Sequence, residues 1–195
     1  MIDTEKYKKL MDGYGDVASW AIWSSEGNTP KSNVGDMSIF TDDICDKLNH
    51  DYVFVGLNRA EHMERPDGYD GPWQNFHSPD PKGNDFKLRF ALSGTKYWGA
   101  YMTDIIKHHV QTDSGSVMKY LRNHPDVVKE NIEDFEKEIS ILGSYPVLVA
   151  FGNDTFKVLT TYLPEHYRII RVPHFSFTIS KENYRAELLQ TLSAY

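Results

Sequence analysis

Two short segments constrain this chain more than any others: Tyr52–Val55 (YVFV) and Val147–Phe151 (VLVAF), each unbroken in apolar residues and each closed by a glycine, Gly56 or Gly152. A strand with one wet face alternates apolar and polar residues. An uninterrupted run of four or five reads instead as a strand buried on both faces, as in a parallel sheet. Trp98–Ile106 (WGAYMTDII) and Arg168–Val172 (RIIRV) are two further strand candidates. Helical stretches separate them: Phe86–Ser93, residues 114–124, residues 125–142, the NDTFKVLTTYL segment and KENYRAELLQTL near the end. In the third stretch Ile132, Phe135, Ile139 and Leu142 recur at three- and four-residue spacing, Pro125 suits the first turn and Gly143 suits the C′ position. Strands alternating with helices require right-handed crossovers and helices on both sheet faces. The expected fold class is therefore α/β, a three-layer α/β/α sandwich with a four-stranded parallel central sheet.

At 195 residues the chain is expected to form a single domain, residues 1–195. No apolar run approaches the roughly 20 residues that span a bilayer, and the charged start MIDTEKYKKLMDGY has no h-region. Cys45 is the only cysteine, which excludes an internal disulfide and any cysteine-built zinc or iron–sulfur site. A cytoplasmic monomer without membrane contact is expected. Net charge is −7, but it is unevenly spread: residues 1–80 carry −8 and residues 81–124 carry +4. The basic segment, with Lys82, Lys87, Arg89 and Lys96, reads first as a solvated face and second as a surface that steers an anionic partner.

In open parallel sheets, ligands bind beyond the carboxyl ends of the strands. That rule selects Gly56-Leu57-Asn58-Arg59, Thr103-Asp104, Gly152-Asn153-Asp154 and Pro173-His174-Phe175-Ser176. No G-x-G-x-x-G follows a strand, and no P-loop or G-x-S-x-G is present. His108-His109 and the scattered histidines lack the i,i+4 spacing of a helical zinc site, so neither a metal nor a cofactor is expected.

Taken in order, the strand ends resemble the motifs of the uracil-DNA glycosylase superfamily. VFVGLNRA (53–60) is similar to its first motif, G-x-[ND]-P, and VPHFSF (172–177) to its final H-P-S motif. Between them AYMTDII (100–106) resembles the strand that ends in Thr-Asn, and VLVAFGNDTFKVL (147–159) resembles the strand–helix unit that follows. The resemblance covers roughly residues 50–192, leaving residues 1–45 as an N-terminal extension, and it implies the parallel strand order 2-1-3-4.

The resemblance also implies roles. A glycosylase flips a nucleotide out of DNA and cleaves the bond between base and sugar. His174 would donate a hydrogen bond to the oxygen on which the leaving base gathers charge. Asn58 would position water, since an amide has no useful basicity. Phe76 would stack on the base, and Gly56, Leu57, Asp104 and Ser176 would bind its edge or the phosphate. Arg59 and Lys107 would contact DNA phosphate. Three positions depart from the family pattern: Arg59 and Phe175 stand where proline is usual, and Asp104 stands where uracil-reading members often carry asparagine. An ionised carboxylate only accepts hydrogen bonds, so it suits an amino group better than the O4 of uracil, and a protonated one suits any base. The alternative to a monofunctional DNA N-glycosylase is a non-catalytic module that binds a nucleobase, nucleotide or nucleic acid, and a small-molecule hydrolase is a third reading.

Overall fold

The computed structural model describes residues 1–59, 68–107, 109, 113–143 and 145–195. The Pro- and Gly-rich stretch from Arg59 to Asp85 reads as a long loop, and of it residues 60–67 lie outside the described residues, as does His108. The elements follow in the order α1 (Thr4–Tyr14), β1 (Ala18–Trp20), β2 (Asn49–Asn58), α2 (Asp85–Leu92), β3 (Ala100–Ile106), α3 (Ser114–Asn123), α4 (Pro125–Ile141), β4 (Val147–Phe151), α5 (Gly152–Tyr162), β5 (Ile169–Val172) and α6 (Lys181–Ser193). Residues 41–49 (TDDICDKLN), which read as helical with Thr41 as a possible N-cap and acids in the first turn, form only a short 3-10 turn at Ile44–Lys47.

The sheet has five strands in the order β1-β3-β2-β4-β5. This corrects the expectation of four parallel strands. β2, β3, β4 and β5 are parallel, and β1 joins the free edge of β3 in antiparallel register, pairing Ala18 with Thr103 and Trp20 with Tyr101. The apolar runs sit where double burial demands: β2 lies between β3 and β4, and Val53–Leu57 are all buried.

Alternation along the strands feeds two cores. Val53, Val55 and Leu148 pack with Leu10 of α1, Phe135 of α4 and Leu159 of α5, whereas Phe54, Met102 and Val149 pack with Leu88 of α2 and Leu188 of α6. Helices therefore cover both faces of the sheet. No helix among the described residues is long and apolar enough to cross a membrane.

Residues from the segment 1–45 pack into this architecture. Trp20 on β1 is fully buried, its ring 4.8 Å from Tyr101 and 5.9 Å from Trp73. The segment also grips the stretch 73–76 from four points. The Trp73 N–H donates to Gly15 O (2.7 Å), Ser19 Oγ to Trp73 O (2.8 Å), Asn75 Nδ2 to Val17 O (2.8 Å) and Trp23 Nε1 to Phe76 O (3.1 Å).

Candidate functional site

Parallel strands that end together leave a crevice at their carboxyl ends, and here it is a cavity of about 770 Å³. Of the residues expected at the site, Gly56, Leu57, Asn58, Arg59, Phe76, Asp104, His174 and Ser176 all line it. They converge from β2, β3, the loop before α2 and the turn after β5.

Asp104 forms part of the floor. β2 and β3 pair Gly56 directly with Asp104, and the carboxylate lies against the glycine so closely that a Cβ on residue 56 would stand 2.1 Å from Oδ1. Glycine is required there by the approach of the carboxylate. Asp104 is only 4% exposed, and its Oδ2 accepts a hydrogen bond from Asn75 Nδ2 at 2.9 Å. Burial pushes the carboxyl up to about 6, although the Asn75 hydrogen bond and the charge of Lys107 pull it down. A second buried carboxyl, Asp85 at the start of α2, also lines the cavity. It accepts a hydrogen bond from the Ser78 N–H (2.9 Å), and burial together with the charge of Asp104 holds it near 6 as well.

His174 lines the same cavity in a defined tautomer. The backbone N–H of Ser176 points at Nδ1 from 3.1 Å, and Ser176 Oγ is 2.8 Å from the same nitrogen. A backbone N–H only donates, so Nδ1 is the acceptor and the hydrogen of the neutral ring sits on Nε2. Burial lowers the pKa of His174 to about 4, which keeps the ring neutral at physiological pH.

The apolar wall consists of Phe76, Phe151 and Phe175. Ring centroids are 6.5 Å apart for Phe76–Phe151, 6.2 Å for Phe76–Phe175 and 5.2 Å for Phe151–Phe175, and His174 stacks on Phe175 at 4.5 Å. Phe76 has φ of 64°, a left-handed conformation that is costly for an aromatic residue. The hold of Trp23 on its carbonyl, and of Val17 on Asn75, fixes that backbone. Phe177 at the cavity is 59% exposed. Gly152, at φ of 84°, turns the chain from β4 straight into α5, so residues 152–155 line another side.

Asn58 reaches the cavity, but its amide Nδ2 donates to the backbone carbonyls of Arg59 (3.0 Å) and His109 (3.2 Å). Arg59 lies near enough for its charge to act on Asp104.

Lys107 does not join the site. At 3% exposure it forms an ion pair with Glu138 of α4 (2.5 Å) and donates to Thr103 Oγ1 and Asp104 O, both at 2.9 Å. An ammonium held by three buried acceptors does not reach a phosphate. The basic segment is likewise less open than expected, because Lys87 donates to Phe177 O (2.6 Å) and Arg89 to Ser24 O (3.1 Å) and Pro30 O (3.0 Å), and both side chains are buried. They tie loops together, while Lys82 remains exposed.

Sequence reasoning missed Asn75, Asp85 and Phe151 as site residues. Phe151 was legible as the last residue of a strand that points at the crevice. Asn75 and Asp85 carry no local signal, since their roles come from Asp104, 29 residues from Asn75, and from the depth of the cavity. No family model, curated protein or solved structure matches the chain.

Proposed function

We propose that the cavity receives a nucleobase, and that the protein acts as a uracil-DNA-glycosylase-like N-glycosylase on a three-layer α/β/α scaffold, hydrolysing the bond between a flipped base and its sugar. One observation carries the reading: an aromatic wall (Phe76, Phe151, Phe175) stands beside hydrogen-bonding groups of opposite kind, the Asp104 carboxyl and the Nε2–H of a neutral His174. A planar heterocycle needs this combination. Its faces gain roughly 1–3 kcal/mol from stacking on an aromatic ring, and its edges need both acceptors and donors.

His174 can donate from Nε2 to a base oxygen as charge develops there, without having to be an imidazolium. Asp104 accepts from an N–H edge when ionised and can donate when protonated, with the change centred near pH 6. The exposed ring of Phe177 offers an apolar contact to the group flanking the base.

Single-turnover assays on oligonucleotides carrying uracil, hypoxanthine, xanthine or a G·T mismatch test the activity. Abasic sites should form on at least one of them and fall by about 10²-fold in His174→Ala. If no abasic site forms on any of them, the N-glycosylase reading fails. One observation favours a second reading, a base-binding module without catalysis: the amide hydrogens of Asn58 are spent on two backbone carbonyls. Saturable oligonucleotide binding without abasic sites, unchanged by Asn58→Ala, would establish it.

A further inference from the structure

Hydrogen-bond accounting around the two buried carboxyls leaves a remainder. Oδ2 of Asp104 is satisfied by Asn75 and Oδ2 of Asp85 by the Ser78 N–H. Among the described residues, nothing donates to Oδ1 of either. Both side chains are more than nine-tenths buried, and both line the cavity. The Oδ1 of Asp104 and the edge of the Phe76 ring both lie against Gly56: a Cβ placed there would be 2.1 Å from that oxygen and 3.6 Å from Phe76 Cζ. The unsatisfied oxygen therefore borders the surface on which a flat ligand would stack.

The other carboxylates of the cavity have local tasks. Asp113 caps α3 through the Ser116 N–H (2.7 Å), Asp80 accepts the Lys82 N–H in a turn (2.7 Å), and Asp154 lies in the first turn of α5, where the helix dipole favours it. The described lining nevertheless carries five aspartates against Arg59 and Lys82. The carboxylates are not gathered around a metal position, for no group of three or more ligating side chains that could hold one occurs among the described residues. A neutral base could satisfy one waiting oxygen. It would leave uncompensated the negative charge of Asp104, which acts on Asp85.

We infer that the cavity selects nucleobases carrying a delocalised positive charge, such as ring-N-alkylated purines or pyrimidines, over their neutral parents. This deepens the nucleobase reading and rests on it. The ring cation stacks on one ring face of this aromatic wall, where the aromatic quadrupole attracts it. Its N–H edge donates charge-assisted hydrogen bonds to Oδ1 of Asp104, and its charge offsets the two carboxylates at once.

The test is calorimetric titration of the intact protein at pH 7.5 with two matched pairs of nucleosides: 1-methyladenosine against adenosine, and 3-methylcytidine against cytidine. The methylated member of each pair is a cation and its parent is neutral, and no phosphate is present to confuse the comparison. The expected result is a Kd roughly tenfold lower for the cation in at least one pair. That preference should shrink towards unity in Asp104→Asn and fall in Asp85→Asn. Parents that bind as tightly as the cations overturn the charge selectivity and leave base binding standing. A preference that survives both substitutions overturns its assignment to these carboxyls. If no nucleoside of either pair binds, the nucleobase reading itself fails and this inference fails with it.

Discussion

Glu138 and the pair Asp85/Asp104 are buried carboxyls within one small protein, and their surroundings are opposite. Glu138, with no exposed surface, is matched on both oxygens: Lys107 Nζ stands 2.5 Å from Oε2, and Tyr101 OH donates to Oε1 at 2.8 Å. Asp85 and Asp104 each hold one hydrogen bond and turn the other oxygen towards a cavity, and burial lifts both to about 6. The first arrangement completes its electrostatics inside the fold and ties β3 to α4. The second leaves a requirement that only something entering the cavity can meet. Lys107 links the two, since the same ammonium that neutralises Glu138 also donates to the backbone carbonyl of Asp104.

The largest expected effect comes from breaking the complete arrangement. Lys107→Met should destabilise the protein by about 3–5 kcal/mol, because it strands a buried carboxylate. The triple variant Lys107→Met, Glu138→Leu, Tyr101→Phe should recover most of that loss, since no buried charge is then orphaned and only Thr103 Oγ1 and Asp104 O lose a donor. Urea unfolding of both variants measures the difference, and a triple variant no more stable than the single one would mean that packing, not charge, dominates there.

Asp85→Asn should act in the other direction. The folded pKa of Asp85 is raised from 3.8 to about 6. Its titration therefore favours the fold fully below pH 3.8, and that contribution is lost as pH rises through 6. Removing the charge should stabilise the protein by roughly 2–3 kcal/mol at pH 8 and by close to nothing at pH 4. Unfolding curves at the two pH values check this; a variant destabilised equally at both would place Asp85 with Glu138 as a structural acid.

Gly56→Ala tests the close approach itself. The added Cβ must displace the Asp104 carboxylate, at a cost of about 1–3 kcal/mol, and the displaced group should titrate at a different pH. A carboxyl-resolved NMR titration reports both the shift and its absence.

Ser176→Ala should do least, changing stability by no more than about 0.5 kcal/mol. The backbone N–H of residue 176 still donates to His174 Nδ1, so nitrogen NMR of the imidazole should continue to show the hydrogen on Nε2. A tautomer change would show that the hydroxyl, not the backbone, sets the ring.

Much of the site was legible from local pattern. Gly56, Asn58, Asp104, His174 and Ser176 were found because apolar runs mark buried parallel strands, and strand ends in such sheets open onto a crevice. Lys107 was misplaced for the same reason. It follows a strand, but a charge three residues past Asp104 says nothing about Glu138, 31 residues further on. Of the apolar, strand-like run Ser19–Ser25 (SWAIWSS), only the start joins the sheet as a strand, since β1 covers Ala18–Trp20.

What the sequence determined by itself is therefore the periodic part of the protein: an α/β chain with parallel strands, their helices, and the polar residues at the strand ends. Periodicity reports burial, and burial follows from the hydrophobic effect acting on nearest neighbours along the chain. The tertiary structure alone decided which polar groups are satisfied. Val17 holding Asn75, Asn75 holding Asp104, and Lys107 closing on Glu138 span separations of 58, 29 and 31 residues. Hydrogen bonds and ion pairs of this kind depend on distances of a few ångströms between segments that no local pattern relates, and it is their balance that leaves two carboxylate oxygens facing the cavity.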